Sequence, residues 1–309
     1  MEHYVTIFDS LFLPQGLALH ASMERHAGEY TLWILCVDEV AFDVLDRVAL
    51  RNVRLIALRN VETPELLTVK PGRSRGEYCW TLTPFAPLFV FDADATVRRV
   101  TYVDADVWLR KNPAAIFGEL AASGKSVLIT DHGYAPEYDQ TATSGQYCVQ
   151  FMTFLREKSE PVRKWWADRC IEWCFGRVED GKFGDQKYLD DWAERFPDEI
   201  HVLSNKELTL APWNATRFPY SGGVIWHFHG LRLTKIGNRA LQADLGSYPL
   251  PDCARRYVYE PYLDDLLQAS VILERHGYWP RPQKVLKTRT RFKIKLFGLH
   301  SNRYVKRWL

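Results

Sequence analysis

No window of the sequence approaches 18 consecutive apolar residues, which excludes a conventional membrane-spanning helix. The start, Met1-Glu2-His3-Tyr4, lacks the basic opening and apolar middle of a secretory signal, so the expected compartment is the cytoplasm. None of the six cysteines falls in a Cys-x-x-Cys pair, which argues against a zinc ribbon or a thioredoxin-type redox motif. Cys170 and Cys174 stand one helical turn apart without a second ligand pair nearby, and they read as reduced, half-buried thiols. Internal repeats and low-complexity blocks are missing, so a solenoid is excluded, and no Gly/Ser linker divides the chain.

Acid is also missing from Lys284 onward, where nine Lys and Arg occur without one Asp or Glu. The net charge of +2 therefore divides into +9 in this tail and −7 in the rest. Val285, Leu286, Phe292, Ile294, Leu296 and Phe297 are interleaved with the cations, which suits a segment lying on an anionic membrane surface. A solvated tail is the plainer reading, and a nucleic-acid backbone is a third partner for such charge. The membrane is the expected partner, no nucleic acid is expected, and the organisation is one globular body over 1–283 followed by a basic extension over 284–309.

What is present is alternation. His3 to Phe8 reads as a strand ending in Asp9-Ser10, Pro14 to His26 as a helix, and Tyr30 to Val37 as a second strand. Phe42 to Leu50 is helical and Val53 to Leu58 is a third strand, so the pattern predicts an α/β fold with a mostly parallel, Rossmann-like sheet flanked by helices. Asp9 and Ser10, at the end of the first strand, could bind a base or ribose. Lys70 to Gly76 reads as a flexible basic loop, Phe85 to Phe91 as a helix, and Asp131 to Gly145 as a binding loop or lid. A helix from Ser159 to about Phe175 carries Trp165, Trp166 and Trp173, which are expected in the core.

Chemistry concentrates at Val100-Thr101-Tyr102-Val103-Asp104-Ala105-Asp106. A β-branched and aromatic strand ends there in two carboxylates one residue apart, and open α/β sheets bind ligands beyond the carboxyl ends of their strands. Such acids can converge on a hard divalent cation that holds the two phosphates of a nucleotide. Asp-x-Asp is a short pattern, and a second copy, Asp92-Ala93-Asp94, precedes the strand instead of following it.

Two later segments complete the constellation. Phe183-Gly184-Asp185-Gln186 opens a predicted helix with Asp190 near one turn on, although acids at a helix start are common for dipole reasons alone. Farther along, an apolar strand delivers His227 and His229 to one face, and one imidazole could complete a cation site begun by Asp104 and Asp106. Mn²⁺ accepts such a nitrogen more readily than Mg²⁺ does. Gly230 would let backbone amides approach a phosphate, and Arg232 or Lys235 could neutralise a leaving diphosphate.

Taken in order, Tyr102-Val103-Asp104-Ala105-Asp106, Gly184-Asp185-Gln186-Lys187-Tyr188-Leu189 and His227-Phe228-His229-Gly230 resemble the metal, sugar-contact and metal–diphosphate motifs of glycosyltransferase family 8. Thr6-Ile7-Phe8-Asp9-Ser10 through Gly16-Leu17-Ala18-Leu19 is similar to that family's nucleotide-binding start, and the resemblance covers roughly residues 3 to 235. It implies a GT-A catalytic domain that moves a sugar from a nucleotide-diphosphate sugar, a UDP-sugar above all, to a glycan or lipid-linked acceptor with retention of configuration. It further implies Asp104, Asp106 and His227 as ligands of Mn²⁺ or Mg²⁺, and Asp9 at the uracil or ribose. Asp185 would hold sugar hydroxyls, and Gln186 would lie near the anomeric carbon.

The chain departs from the family pattern in two places. Cys148-Val149-Gln150 stands where an Asn-Ala-Gly-like turn is usual, and Arg232-Leu233-Thr234-Lys235 stands in place of Lys-Pro-Trp. A catalytically silent nucleotide- or glycan-binding relative is therefore the alternative, and a nucleotidyltransferase a third reading with no need of the late histidine.

Overall fold

The computed structural model describes residues 1–236 and 241–286. In chain order its strands are β1 (Glu2–Phe8), β2 (Tyr30–Cys36), β3 (Val53–Ala57), β4 (Arg99–Val103), β5 (Val107–Leu109), β6 (Val127–Asp131), β7 (Tyr147–Leu155), β8 (Ile200–Val202), β9 (Thr209–Leu210), β10 (Ile225–His227), β11 (Arg232–Ile236), β12 (Gln242–Asp244) and β13 (Lys284–Leu286). Seven of them form the central sheet in the order β3-β2-β1-β4-β7-β6-β8. All pairings in it are parallel except those of β7, which runs antiparallel to both β4 and β6.

Alternation along the strands explains the layering. Tyr4 and Phe8 of β1, with Leu32 and Ile34 of β2, point into a core under helix α1 (Leu13–His26). Val5 and Ile7, with Trp33 and Leu35, point to the opposite face. A sheet covered on both faces needs near-continuous apolar strands, and these are such strands. Helix α2 (Glu39–Val48) starts where the Asp38 side chain accepts from the Ala41 amide at 2.8 Å, a cap expected to contribute about 1 kcal/mol. Behind the second face lie the short α3 (Pro64–Val69), α4 (Arg75–Leu82), α5 (Ala86–Ala93) and the helix Glu160–Glu172, while α6 (Ala114–Ser123) covers the first.

The basic stretch expected to be a flexible loop is instead ordered as a 3₁₀ turn over Lys70–Gly72 followed by α4. A reciprocal cap fixes it, with the Glu77 amide donating to Ser74 Oγ at 3.4 Å and the Ser74 amide donating to Glu77 Oε2 at 2.8 Å. Trp166 and Trp173 are buried as anticipated, and Trp165 is half-buried against Phe196. All six cysteines are free thiols, and Cys170 and Cys174 are fully buried where half-burial was expected.

Two small sheets extend the fold beyond β8. β5 pairs antiparallel with β10, and β10 runs parallel to β9. β11 lies between β12 and β13. The helix Glu260–Arg275 closes this side against α1, where Phe228 and Tyr262 stack with ring centroids 3.5 Å apart and Trp108 Nε1 donates to Asp265 Oδ2 at 2.7 Å. Of the basic extension, Lys284–Leu286 form β13, and the remainder of the expected tail lies outside the described residues. Among the described residues no helix is long and apolar enough to cross a membrane.

Candidate active site

Strand β4 runs out at Val103, but the chain stays pinned to the sheet for one residue more, because the Asp104 amide donates to Gln150 O at 3.1 Å. The Val107 amide then donates to Asp104 O at 3.0 Å, and this tight turn presents both acids at the carboxyl end of the sheet. β5 leaves the turn and pairs with β10 so that Val107 faces His227, and the Phe228 amide donates to Asp106 O at 2.9 Å. Backbone pairing is what carries an imidazole from far along the chain to the two carboxylates. His227 Nε2 lies 3.1 Å from Asp106 Oδ1 and 3.6 Å from Asp104 Oδ2.

Neighbouring groups hold these side chains in place. Tyr102 donates its hydroxyl to Asp104 Oδ1 at 2.8 Å, and the Trp213 indole meets the His227 ring edge-on with centroids 5.4 Å apart. The side chains of Asp104, Asp106 and His227 are 27 %, 14 % and 8 % exposed. Burial favours protonation of both acids, and in Asp104 it prevails and raises the pKa. In Asp106 the charge and hydrogen bond of His227 outweigh burial and hold the carboxyl well below the usual carboxylate range. Burial alone would depress His227, but Asp106, Cys148 and Asp104 raise it well above the ordinary imidazole value.

A second wall comes from Phe183 to Gln186. Gly184 turns the chain with φ +55°, and the Trp166 indole donates to Asp185 O at 2.8 Å, which locks the backbone there. The Asp185 carboxyl is 5 % exposed, and burial pushes its pKa up to about 8 against the opposing Thr83 hydrogen bond, with Asp104 adding to the rise. Gln186 donates through Nε2 to Ser144 O at 2.7 Å. The helix expected from this point is a run of turns with a 3₁₀ segment at Lys187–Asp191. Asp190 therefore points elsewhere, pairing with Lys187 at 2.7 Å and accepting from the Gln146 amide at 2.8 Å.

Between these walls lies a cleft of about 520 Å³, within the range of small-molecule sites, lined by Asp9, Asp104, Asp106, Asp185, Gln186, His227, His229 and Arg232 among others. No family model matches the chain. The protein YfnF of Bacillus subtilis is 28 % identical over 252 residues, 75 % of this chain and 82 % of its own. YfnD of the same bacterium is 30 % identical over 223 residues, 70 % of each. The chain belongs to the YfnD family. Among solved structures, the galactosyltransferase LgtC in complex with donor and acceptor sugar analogues superposes with a TM-score of 0.54 at 14 % identity, over 85 % of this chain and 95 % of that one. The glycosyltransferase GlyE of Streptococcus pneumoniae gives 0.51 at 16 % identity, over 89 % of this chain and 63 % of that one. This member of the YfnD family therefore has the GT-A fold.

In this YfnD-family chain one oxygen from each of Asp104 and Asp106 and one nitrogen from His227 lie within 4.8 Å of one another. Two carboxylates and an imidazole fit a divalent cation, and the nitrogen favours Mn²⁺ over Mg²⁺. Asp9 accepts from the Leu11 amide at 2.9 Å and from Arg75 at 3.0 Å, with its side chain on the cleft. Ser10, Gly230 and Lys235, also singled out in the sequence, are not among the lining residues. The Ser10 hydroxyl is engaged with Asp38 at 2.8 Å and Arg281 at 3.0 Å, Gly230 turns the chain with φ +79°, and Lys235, on β11, pairs with Val285 of β13.

Sequence reasoning gave no role to Arg75, Trp80 and Gln283, and took Tyr102 only as part of the strand motif; all four line the cleft. Of the two threonines on α4 and its end, Thr83 lines the cleft and Thr81 is buried away from it. Cys148 lies against His132 and His227; burial raises its pKa, but those two rings bring it down to about 7.

Proposed function

We propose that this protein is a metal-dependent glycosyltransferase that moves a hexose from a UDP-sugar to a glycan or lipid-linked acceptor with retention. The observation that supports this most is the meeting of Asp104, Asp106 and His227 in one cleft, facing Asp185 and Gln186 across it. A divalent cation, Mn²⁺ before Mg²⁺, held by the first three residues would neutralise charge on the diphosphate as a Lewis acid.

The remaining chemistry belongs to the chain. Negative charge grows on the diphosphate as the glycosidic bond breaks, and Arg232 on the same cleft stabilises that charge more in the transition state than in the ground state. Asp185, with a pKa near 8, holds its proton at neutral pH and donates to a sugar hydroxyl, which makes it a poor covalent nucleophile. A poor nucleophile at that position favours front-face displacement: the acceptor hydroxyl, held beside the donor with Gln186 near the anomeric carbon, bonds to that carbon as the diphosphate leaves and takes up the hydroxyl proton. Asp9 contacts the nucleoside.

The body over 1–283 is the catalytic domain in this reading, and the basic segment over 284–309 holds it peripherally at the inner face of an anionic membrane. Removing residues 287–309 should then abolish binding to phosphatidylglycerol vesicles, and unchanged binding would reject that part. A screen of UDP- and GDP-sugars for Mn²⁺-dependent nucleotide release tests the activity: wild type releases UDP, and Asp106→Asn lowers the rate at least about 100-fold. An Asp106→Asn protein as active as wild type would sink the proposal. Cys148 and Gln150, standing where the family has an Asn-Ala-Gly-like turn, favour the silent relative as second reading, and UDP binding without any release of UDP would select it.

A further inference from the structure

Eight large hydrophobic side chains are exposed among the described residues, and Trp80 is the one of them that lines the cleft. Its indole is 37 % exposed. It is carried by α4, one turn ahead of Thr83, which lines the same cleft as Asp185. The ring lies across two glycines: a β-carbon at Gly184 or at Gly176 would come within 3.4 Å of it. Gly184 has the positive φ that glycine tolerates, so its missing side chain both permits the turn and leaves room for the indole. Phe183 flanks the platform at 6.2 Å between ring centroids, tilted by 47°.

An indole set beside two glycines and partly open to a cleft that a buried acid and an amide also line has the chemistry of a pyranose site. A hexopyranose presents polarised C–H groups on one face and hydroxyls around its rim. The negative face of an aromatic ring attracts those C–H groups, while the convergent polar groups satisfy the rim. Neither a phosphate nor a metal ion has use for such a surface.

We propose that Trp80, flanked by Phe183, is the stacking platform for the ring of the transferred sugar and sets affinity for the sugar half of the donor independently of the nucleotide half. This deepens, and rests on, the reading of the cleft as a nucleotide-sugar site. Asp185 and Gln186 then fix the hydroxyls of a ring whose face lies on the indole.

The test is calorimetry in Mn²⁺ with two probes, UDP and whichever of UDP-glucose, UDP-galactose and UDP-N-acetylglucosamine wild type binds most tightly. Trp80→Ala should weaken UDP-hexose binding about tenfold, leave UDP within twofold, and be largely rescued by Trp80→Phe. Unchanged UDP-hexose affinity, or an equal loss for UDP, overturns the platform. A variant that raises only the acceptor KM also overturns it and moves the ring to the acceptor side. Wild type that binds neither probe defeats the cleft reading itself, a result distinct from each of the others.

Discussion

Asp92 and Asp94 sit where helix α5 runs out, and Asp104 and Asp106 sit where strand β4 does. The residues are the same and so is the spacing, yet in the first pair one acid is bound up by its own neighbourhood and the other points to solvent. Asp94 Oδ1 accepts from the Thr96 amide at 2.9 Å and the Thr96 hydroxyl at 2.6 Å, its Oδ2 accepts from Arg54 at 2.9 Å, and Asp92 faces solvent. That is a turn locked by one aspartate, with its neighbour exposed outside the cleft and, among the described residues, no third metal-ligating group converging on the pair. The second pair faces a cleft, with one oxygen oriented by Tyr102 and two others, one from each acid, beside a single imidazole. A pair of acids becomes a candidate metal site when its partners come from distant strands and leave oxygens free to converge.

The largest effect that would sharpen this contrast is kinetic. Asp104→Asn should lower Mn²⁺-dependent UDP release at least about 100-fold, while Asp92→Asn leaves it unchanged; comparable losses in both would erase the distinction. Next comes orientation. Tyr102→Phe removes the hydroxyl that steers Asp104 and should weaken Mn²⁺ binding roughly 10- to 100-fold, measured by calorimetry with UDP present.

Acidity gives a third, smaller effect. His227 is held protonated by Asp106, Cys148 and Asp104 well above its ordinary pKa, so a cation must displace that proton to bind. Mn²⁺ affinity should therefore fall as pH is lowered from 8 to 6, by up to about tenfold per unit, and a flat profile would mean the imidazole is not a ligand. Smallest of all, Asp94→Ala should lower the melting temperature slightly, through the lost Thr96 and Arg54 contacts, and leave UDP release at the wild-type rate.

The parallel half of the fold was legible because β1, β2 and β3 are short apolar runs separated by helices of ordinary length. Asp104 and Asp106 were legible from their place after a strand, and His227 from its alternation with His229 and the family resemblance. The observed strand is nevertheless only Ile225–His227, and His229 already lies beyond it. Less legible was α4. Its Ser74-x-x-Glu77 cap is written in the sequence, but Gly72, Gly76 and three nearby arginines or lysines suggested a mobile loop, and Arg75 and Trp80 were lost with it. Ser10 beside Asp9 looked like a second ligand contact, yet its hydroxyl serves Asp38 and Arg281, partners 28 and 271 positions away. Local pattern reports which residues end a strand, whereas side-chain pairings between distant segments are settled only by packing.

Sugar transfer by this protein requires Asp104, Asp106 and His227 to act as one cation site. Calorimetric titration of Mn²⁺, in the presence of UDP, into wild type and His227→Ala reads that directly. The prediction is a single cation bound by wild type and at least about a hundredfold loss in the variant, with its fold intact by circular dichroism. Equal affinity in the two proteins would contradict it.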